Sequence, residues 1–186
     1  MKLDKDTLRD LVDERLPRSQ VRAIQSGHKD ADRFDKYVEV LQERVPWDDR
    51  IVLPFGERLY IVVKGRSEYL AHDEHSSSIA SAAGSKSAAG RFLVKCECGH
   101  EFCDYTENWK LEALVYVRET EEDMREIYPE KMHGDPAWNV LREYFCPACK
   151  SLLEVEAVPP GYPVVHDFVP DLAGFYEDWL GRPLPS

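Results

Sequence analysis

Apolar residues recur at helical spacing in the first part of the chain. They predict a short amphipathic helix over residues 3–16 and a second helix of about 13 residues that starts near Asp30 and stops at Pro46. Thr7 begins a stretch that resembles an N-terminal capping signal. Each helix has one apolar stripe, which is more typical of core packing than of a binding face. The alternative is that these stripes dock on another subunit. The stripes are Leu8, Leu11, Val12 and Leu16, and Phe34, Tyr37, Val38 and Leu41.

The middle of the chain alternates β-rich runs with turn residues. Runs at 50–53 and 59–63 flank a stretch, 54–58, that contains Pro and Gly and predicts a hairpin turn. A short helix is predicted to start at Thr120 and to stop before Pro129. Further strands are predicted at 92–95, 111–117, 143–145 and 150–157.

A segment rich in Ser, Ala and Gly interrupts this β region. These three residue types fill 13 of the 15 positions from Ser76 to Gly90. Such a composition cannot bury enough apolar surface to offset the entropy of ordering the chain, so we predict a flexible insertion over about 65–90. The stretch from His72 to His75 has nominal metal-ligand spacing, but no rigid element is predicted to hold it, and we assign no metal there.

The C-terminal part is predicted to be an extended strap followed by a helix. Prolines punctuate residues 159–170, and proline both fixes φ and removes a hydrogen-bond donor. A last helix is predicted over 171–180 and is capped by Gly181. Its large apolar side chains need cover, either from this chain's own sheet or from a partner. They are Leu172, Phe175, Tyr176 and Trp179.

Composition and charge exclude several classes of function. No run approaches the roughly 18 consecutive apolar residues that a membrane span needs. Four of the first six residues are charged and they lead into no apolar stretch, so we expect no secretory signal and a cytoplasmic location. The net charge of −11, from 35 acidic and 24 basic residues, repels phosphate backbones and anionic lipid. We therefore expect neither a nucleic-acid partner nor a membrane partner.

Two cysteine pairs carry the clearest chemistry in the sequence. Cys96 and Cys98 form one pair, and Cys146 and Cys149 form the other, each on a short turn that contains Gly or Pro. Four thiolates delivered two at a time suit a tetrahedral Zn²⁺ with bonds of about 2.3 Å. Four sulfurs close the coordination sphere and leave no position for substrate or water, so the predicted zinc is structural.

Other interpretations of the five cysteines fit less well. The Cys-x-Cys spacing is tighter than the usual Cys-x₂-Cys, so Cys103 or a ring nitrogen of His100 is the alternative to Cys98 as a ligand. A disulfide framework expects an even count in a small, cysteine-dense secreted chain. A redox Cys-x-x-Cys expects a helix after the motif, whereas Cys146 to Cys149 precedes a predicted strand. Isolated thiols are the remaining possibility.

No catalytic residue stands out. His166 is followed by Asp167, but adjacent residues on an extended strap point to opposite sides, which does not favour an oriented acid–base pair. No nucleotide-binding or hydrolase fingerprint is present. The residues alone predict a zinc-stabilised binding module.

The predicted fold class is α+β, with three parts. An N-terminal helical segment occupies residues 1–46, and a small antiparallel, zinc-ribbon-like β domain occupies 47–158 and contains the insertion. The strap and the C-terminal helix follow at 159–186. A ribbon in which each cysteine turn ends one strand and begins another brings the four sulfurs together most simply.

Several longer stretches, taken together, show a resemblance to a known family. They are Tyr37–Arg44 with Pro46–Asp49, Cys96–Asp104 with Asn108–Leu111, Arg142–Pro147, Tyr162–Phe168, and Gly174–Tyr176 with Trp179–Gly181. In this order, over nearly the whole chain, they resemble the small gamma subunit of bacterial acetone carboxylase. The insertion at about 65–90 is the departure from that pattern.

The resemblance implies a heterohexamer with two copies each of alpha, beta and gamma subunits. Such an enzyme carboxylates acetone with bicarbonate to acetoacetate and converts ATP to AMP and phosphate. ATP and manganese then belong to the large subunits, and zinc belongs to this chain, which carries no catalytic residue. The alternative function is a stand-alone zinc-ribbon module that binds or regulates another molecule.

Overall fold

The strands of this protein form two separate antiparallel sheets. The computed structural model describes residues 2–27, 30–64, 91–129 and 132–186. Within these ranges one sheet has four strands and the other has three. Together with the short helices at both ends, they form the predicted α+β fold. The insertion at 65–90, with the stretch from His72 to His75, lies outside the described residues.

The four-stranded sheet contains the predicted hairpin. Its strands are β1 (Arg50–Gly56), β2 (Leu59–Lys64), β3 (Arg91–Cys96) and β4 (Glu101–Asp104), in the order β1-β2-β3-β4. The predicted turn at 54–58 is too long, because β1 continues through Pro54, which pairs with Tyr60. Proline is tolerated there because β1 is an edge strand and bulges at this point.

The three-stranded sheet carries the second cysteine turn. Its strands are β5 (Leu114–Arg118), β6 (Val140–Phe145) and β7 (Leu152–Val158), in the order β5-β6-β7. The strand predicted at 111–117 starts later, because Asn108 caps a 3₁₀ turn at Trp109–Glu112. Between β5 and β6, the predicted helix α4 (Glu121–Arg125) begins with a capping box formed by Thr120 and Asp123.

Three N-terminal helices precede the first sheet. They are α1 (Lys5–Val12), α2 (Arg18–Ser26) and α3 (Arg33–Gln42). Helix α3 packs against the sheet, while α2 packs against the other two helices. The predicted helix over 3–16 is shorter, since Glu14 takes a φ of 57° and ends it, and its cap is Asp4 rather than Thr7. The pattern did not predict α2, because only Ile24 of its residues is buried.

The C-terminal residues return to the first sheet. Residues 159–171, which include the predicted strap, contain no helix or strand. The predicted last helix consists of a short α-helix, α5 (Leu172–Gly174), and a π-helical turn (Phe175–Trp179). Leu172 and Tyr176 are buried against Val52, Ile61 and Val63, so this chain's own sheet covers that part of the stripe.

One residue of that stripe faces solvent. Trp179 has 81% of its surface exposed, contrary to the uniform apolar face that a regular α-helix predicts. The Leu180 amide donates to the Phe175 carbonyl at 3.2 Å, an i→i+5 bond that widens the turn and changes the direction of the following side chains.

Among the described residues, no helix has both the length and the apolar character needed to cross a membrane.

Candidate metal centre

The first cysteine turn closes the end of β3. The Cys96 amide donates to the His100 carbonyl at 2.8 Å, and the Gly99 amide donates to the Cys96 carbonyl at 2.8 Å. Gly99 has a φ of 101°, a conformation that side-chain-bearing residues rarely adopt. A Cβ at Gly99 would also lie 3.2 Å from Cδ1 of Trp47. Glycine at this position therefore lets the turn bring Cys98 back over Cys96.

The second cysteine turn has a related backbone pattern at the end of β6. The Cys146 amide donates to the Ser151 carbonyl, and the Lys150 amide donates to the Cys146 carbonyl, each at 3.0 Å. Lys150 takes a φ of 62° and reverses the chain into β7. Each cysteine turn thus ends one strand and begins another, as the ribbon pattern predicts.

The two turns bring together the four sulfurs of the predicted ligand set. Cys96, Cys98, Cys146 and Cys149 have Sγ atoms that all lie within 4.8 Å of one another. Cys96 Sγ lies 3.9 Å from Cys149 Sγ, and Cys98 Sγ lies 3.7 Å from Cys146 Sγ. In a tetrahedral site with Zn–S bonds of about 2.3 Å, neighbouring sulfurs are about 3.8 Å apart. The donor set and its spacing fit a zinc ion.

The pKa values of the clustered thiols shift in different directions. Loss of hydration inside the cluster raises the pKa of Cys96, which is buried, and also that of Cys98, which is partly exposed. The neighbouring Ser151 hydroxyl, 3.3 Å from Cys149 Sγ, lowers the pKa of Cys149 to about 6. A divalent cation at the centre offsets the cost of ionising the buried thiols.

The alternative ligands lie outside this cluster. The Cys103 thiol, on β4, donates to the Glu107 carbonyl at 3.6 Å, and the His100 ring stacks edge-on against Phe102 with centroids 4.9 Å apart. Neither belongs to the group of four that the described residues bring together around Cys98. All five cysteines are described, and none forms a disulfide.

Trp47 and Lys95 make further contacts around the first cysteine turn that were not predicted from the sequence. The Trp47 indole donates to the Glu97 carbonyl at 3.0 Å, and the Lys95 ammonium lies 4.9 Å from the centroid of the Trp47 ring. Lys95 also forms an ion pair with Asp49, whereas Asp48, beside it, is exposed.

A buried ammonium group occupies the other cluster of carboxylates. Nζ of Lys110 is fully buried and lies 2.7 Å from Glu154, 2.5 Å from Glu156 and 2.6 Å from Asp167. Burial alone would lower the pKa of Lys110, but hydrogen bonds to these carboxylates raise it overall. The cluster is therefore an ion-pair centre that ties the strap to β7.

The Lys110 centre also includes Asp167, the neighbour of His166. Asp167 pairs with Lys110, so the described contacts do not orient His166 as a base. Tyr144 donates to Glu156 at 2.9 Å and completes the polar network. Arg142 on β6 donates to the carbonyls of Tyr162 and Pro163 and holds the strap in place.

Comparison with known proteins places the chain in a family. A family model described as acetone carboxylase gamma subunit matches residues 83–180. The acetone carboxylase gamma subunit of Xanthobacter autotrophicus is 47% identical over 177 residues, which cover 95% of this chain and 92% of that protein. The acetophenone carboxylase beta subunit of Aromatoleum aromaticum is 30% identical over 82 residues, or 41% of this chain and 60% of that protein.

These matches agree with the resemblance found along the sequence. The family model covers more than half of the chain and includes both cysteine turns. The chain belongs to the acetone carboxylase gamma subunit family.

Proposed function

We propose that this chain is the small accessory subunit of an ATP-dependent ketone carboxylase. The observation that carries the proposal is its 47% identity, over 95% of its length, to an acetone carboxylase gamma subunit. The partial match to an acetophenone carboxylase beta subunit supports assembly into a multi-subunit carboxylase.

In this proposal the chemistry takes place on the larger subunits. Acetone and bicarbonate give acetoacetate there, ATP is converted to AMP and phosphate, and manganese serves the carboxylation site. The assembly contains two alpha, two beta and two gamma subunits and is located in the cytoplasm, with no nucleic acid. This chain contributes no catalytic residue.

The proposed metal is one structural zinc ion held by Cys96, Cys98, Cys146 and Cys149. The donor set supports zinc, because four thiolates at tetrahedral spacing match its preference. When bound, zinc supplies a cross-link between the cysteine turn of the first sheet and that of the second. All four positions of a tetrahedral ion are then filled, which leaves none for substrate.

We also propose three parts with separate roles. Residues 1–46 form the helical segment, 47–158 form the metal-linked β domain, and 159–186 form the strap and terminal turn. The Lys110 centre connects the last two parts, because Asp167 belongs to the strap.

Copurification with metal analysis tests the proposal. A tagged chain, expressed with candidate alpha and beta subunits, is purified and its mass is measured under native conditions. We expect a complex of two copies of each subunit, with one zinc per gamma chain and manganese only when the large subunits are present. A chain that runs alone, without either large subunit, would overturn the proposal and favour a stand-alone binding module.

A further inference from the structure

The C-terminal turn carries an aromatic side chain, Trp179, that is mostly exposed to solvent. Trp179 is 81% exposed, and its ring contacts Phe175 with centroids 6.0 Å apart. Phe175 in turn contacts Phe34 at 5.0 Å. The exposed indole therefore packs on Phe175, which itself packs on Phe34.

The backbone that carries Trp179 is held firmly. The Tyr176 hydroxyl donates to the Val52 carbonyl at 2.8 Å, and Tyr176 is buried. Arg182, just beyond the turn, donates to Asp35 of α3 at 3.0 Å. Because both ends of the turn are fixed to other elements, little conformational freedom is left to lose when the indole is bound. π-helical turns of this kind occur frequently at functional sites.

The chain segment that leads to Trp179 is acidic. Between residues 151 and 181 the chain contains six acidic residues and no Lys or Arg. Glu177 and Asp178, directly before Trp179, are both exposed. Arg182 is the nearest base in sequence, and Asp35 already neutralises it. An apolar anchor with acidic neighbours is complementary to an apolar pocket with a basic rim.

We propose that Trp179 anchors this chain in an apolar pocket with a basic rim on one of the large carboxylase subunits. This inference rests on the proposed function and names the surface through which the assembly forms. Glu177 and Asp178 steer the approach, and burial of the indole supplies most of the binding free energy. Tryptophan is among the residues that most often dominate protein interfaces.

Two variants test the inference, each with a matched control. Trp179→Ala removes the anchor, and Trp138→Ala removes another tryptophan that is 79% exposed but lies between α4 and β6. The double change Glu177→Lys with Asp178→Lys reverses the local charge. Glu107→Lys with Glu112→Lys makes the same charge change at exposed positions elsewhere.

Binding of each variant to the purified large subunits is measured at low and high salt. We expect Trp179→Ala to bind at least about 30-fold more weakly and the charge reversal about 10-fold more weakly at low salt, with a smaller difference at high salt. Both control variants should bind like the wild-type chain. Metal content and thermal unfolding of the isolated variants should be unchanged, because Trp179 is exposed.

The outcomes separate this inference from the proposed function. If the wild-type chain binds no large subunit, the proposed function fails and this inference fails with it. If the wild-type chain binds and Trp179→Ala binds equally well, only this inference is overturned. Equal weakening by Trp138→Ala also overturns it, as does a dimer of this chain alone that Trp179→Ala dissociates.

Discussion

Cys98 Sγ lies 3.7 Å from Cys146 Sγ, although the two residues are 48 positions apart in the chain. Cys98 lies two residues beyond the end of β3, and Cys146 directly follows β6, so the pair joins two different sheets. The sheets also share a core in which Leu59 and Val94 of one pack with Tyr144 and Leu153 of the other. Two members of the sulfur cluster, Cys96 and Cys146, belong to that shared core.

Removing one sulfur should therefore affect folding rather than turnover. We expect Cys149→Ser to lose the proposed zinc and a large part of the net stability, which is about 5–15 kcal/mol for a domain of ordinary size. Metal analysis and thermal unfolding measure both effects. Cys103→Ser is the control and should keep its metal. A Cys149→Ser chain that keeps full stability but abolishes activity of the assembled enzyme would contradict a structural site.

Substitution of Lys110 should lower the free energy of unfolding more than substitution at an exposed ion pair. Lys110→Met leaves Glu154, Glu156 and Asp167 facing one another, and losing one partner of a buried ion pair costs about 3–5 kcal/mol. Urea unfolding near neutral pH measures this loss. Lys5→Met removes an ammonium whose side chain is about half exposed and should cost less than about 1 kcal/mol. Equal losses in the two variants would show that the centre contributes no more than a surface pair.

The Tyr176 hydroxyl should stabilise the C-terminal turn. Tyr176→Phe leaves the buried Val52 carbonyl without this donor, so we expect a loss of about 1–3 kcal/mol in the free energy of unfolding. Denaturant unfolding detects a change of this size. Tyr162→Phe, at an exposed position of the strap, is the control and should be neutral within about 0.5 kcal/mol. A neutral Tyr176→Phe change would mean that water replaces the lost donor.

Asp30 should make stability depend on acid pH. Its carboxylate accepts from Lys36 at 2.5 Å and from Arg33 at 2.8 Å, and the Lys36 hydrogen bond is the main reason that the pKa of Asp30 lies well below its usual range. A depressed pKa stabilises the fold above the unfolded pKa of about 3.9, and this contribution is lost as the pH falls below it.

The matching variant is Asp30→Asn. Its melting temperature should lie below that of the wild-type chain near neutral pH, and the difference should shrink steadily below about pH 4. Asp48→Asn, at an exposed position, should show no such trend. A difference that stays constant down to about pH 3 would contradict the assigned ion pairs.

Local patterns predicted those features that depend on neighbouring residues alone. The capping box at Thr120 and the hairpin of β1 and β2 follow from adjacent residues, and the structure contains both. The pairing of Cys96 and Cys98 with Cys146 and Cys149 was also predictable, because metal-ligand spacing is a local property of each turn.

Other features required the tertiary structure. Lys110 lies in the 3₁₀ turn after Asn108 and gives no sequence signal, and its three carboxylates come from β7 and the strap. Helix α2 buries one residue, so its apolar period is too weak to detect. Trp179 falls on the predicted helical stripe, yet the structure leaves it exposed. A π-helical turn replaces the regular α-helix there, and a hydrogen bond to Val52 holds Tyr176 against the sheet.

The sequence by itself predicted the four cysteines that cluster, the positions of most strands and the family, because each depends on residue identity and short spacing. Only the tertiary structure decided which apolar face is covered and which charges meet. Those outcomes depend on how the two sheets, the strap and the helices pack together. A side chain such as Trp179 becomes a candidate interface residue only after packing has covered its neighbours and left it exposed.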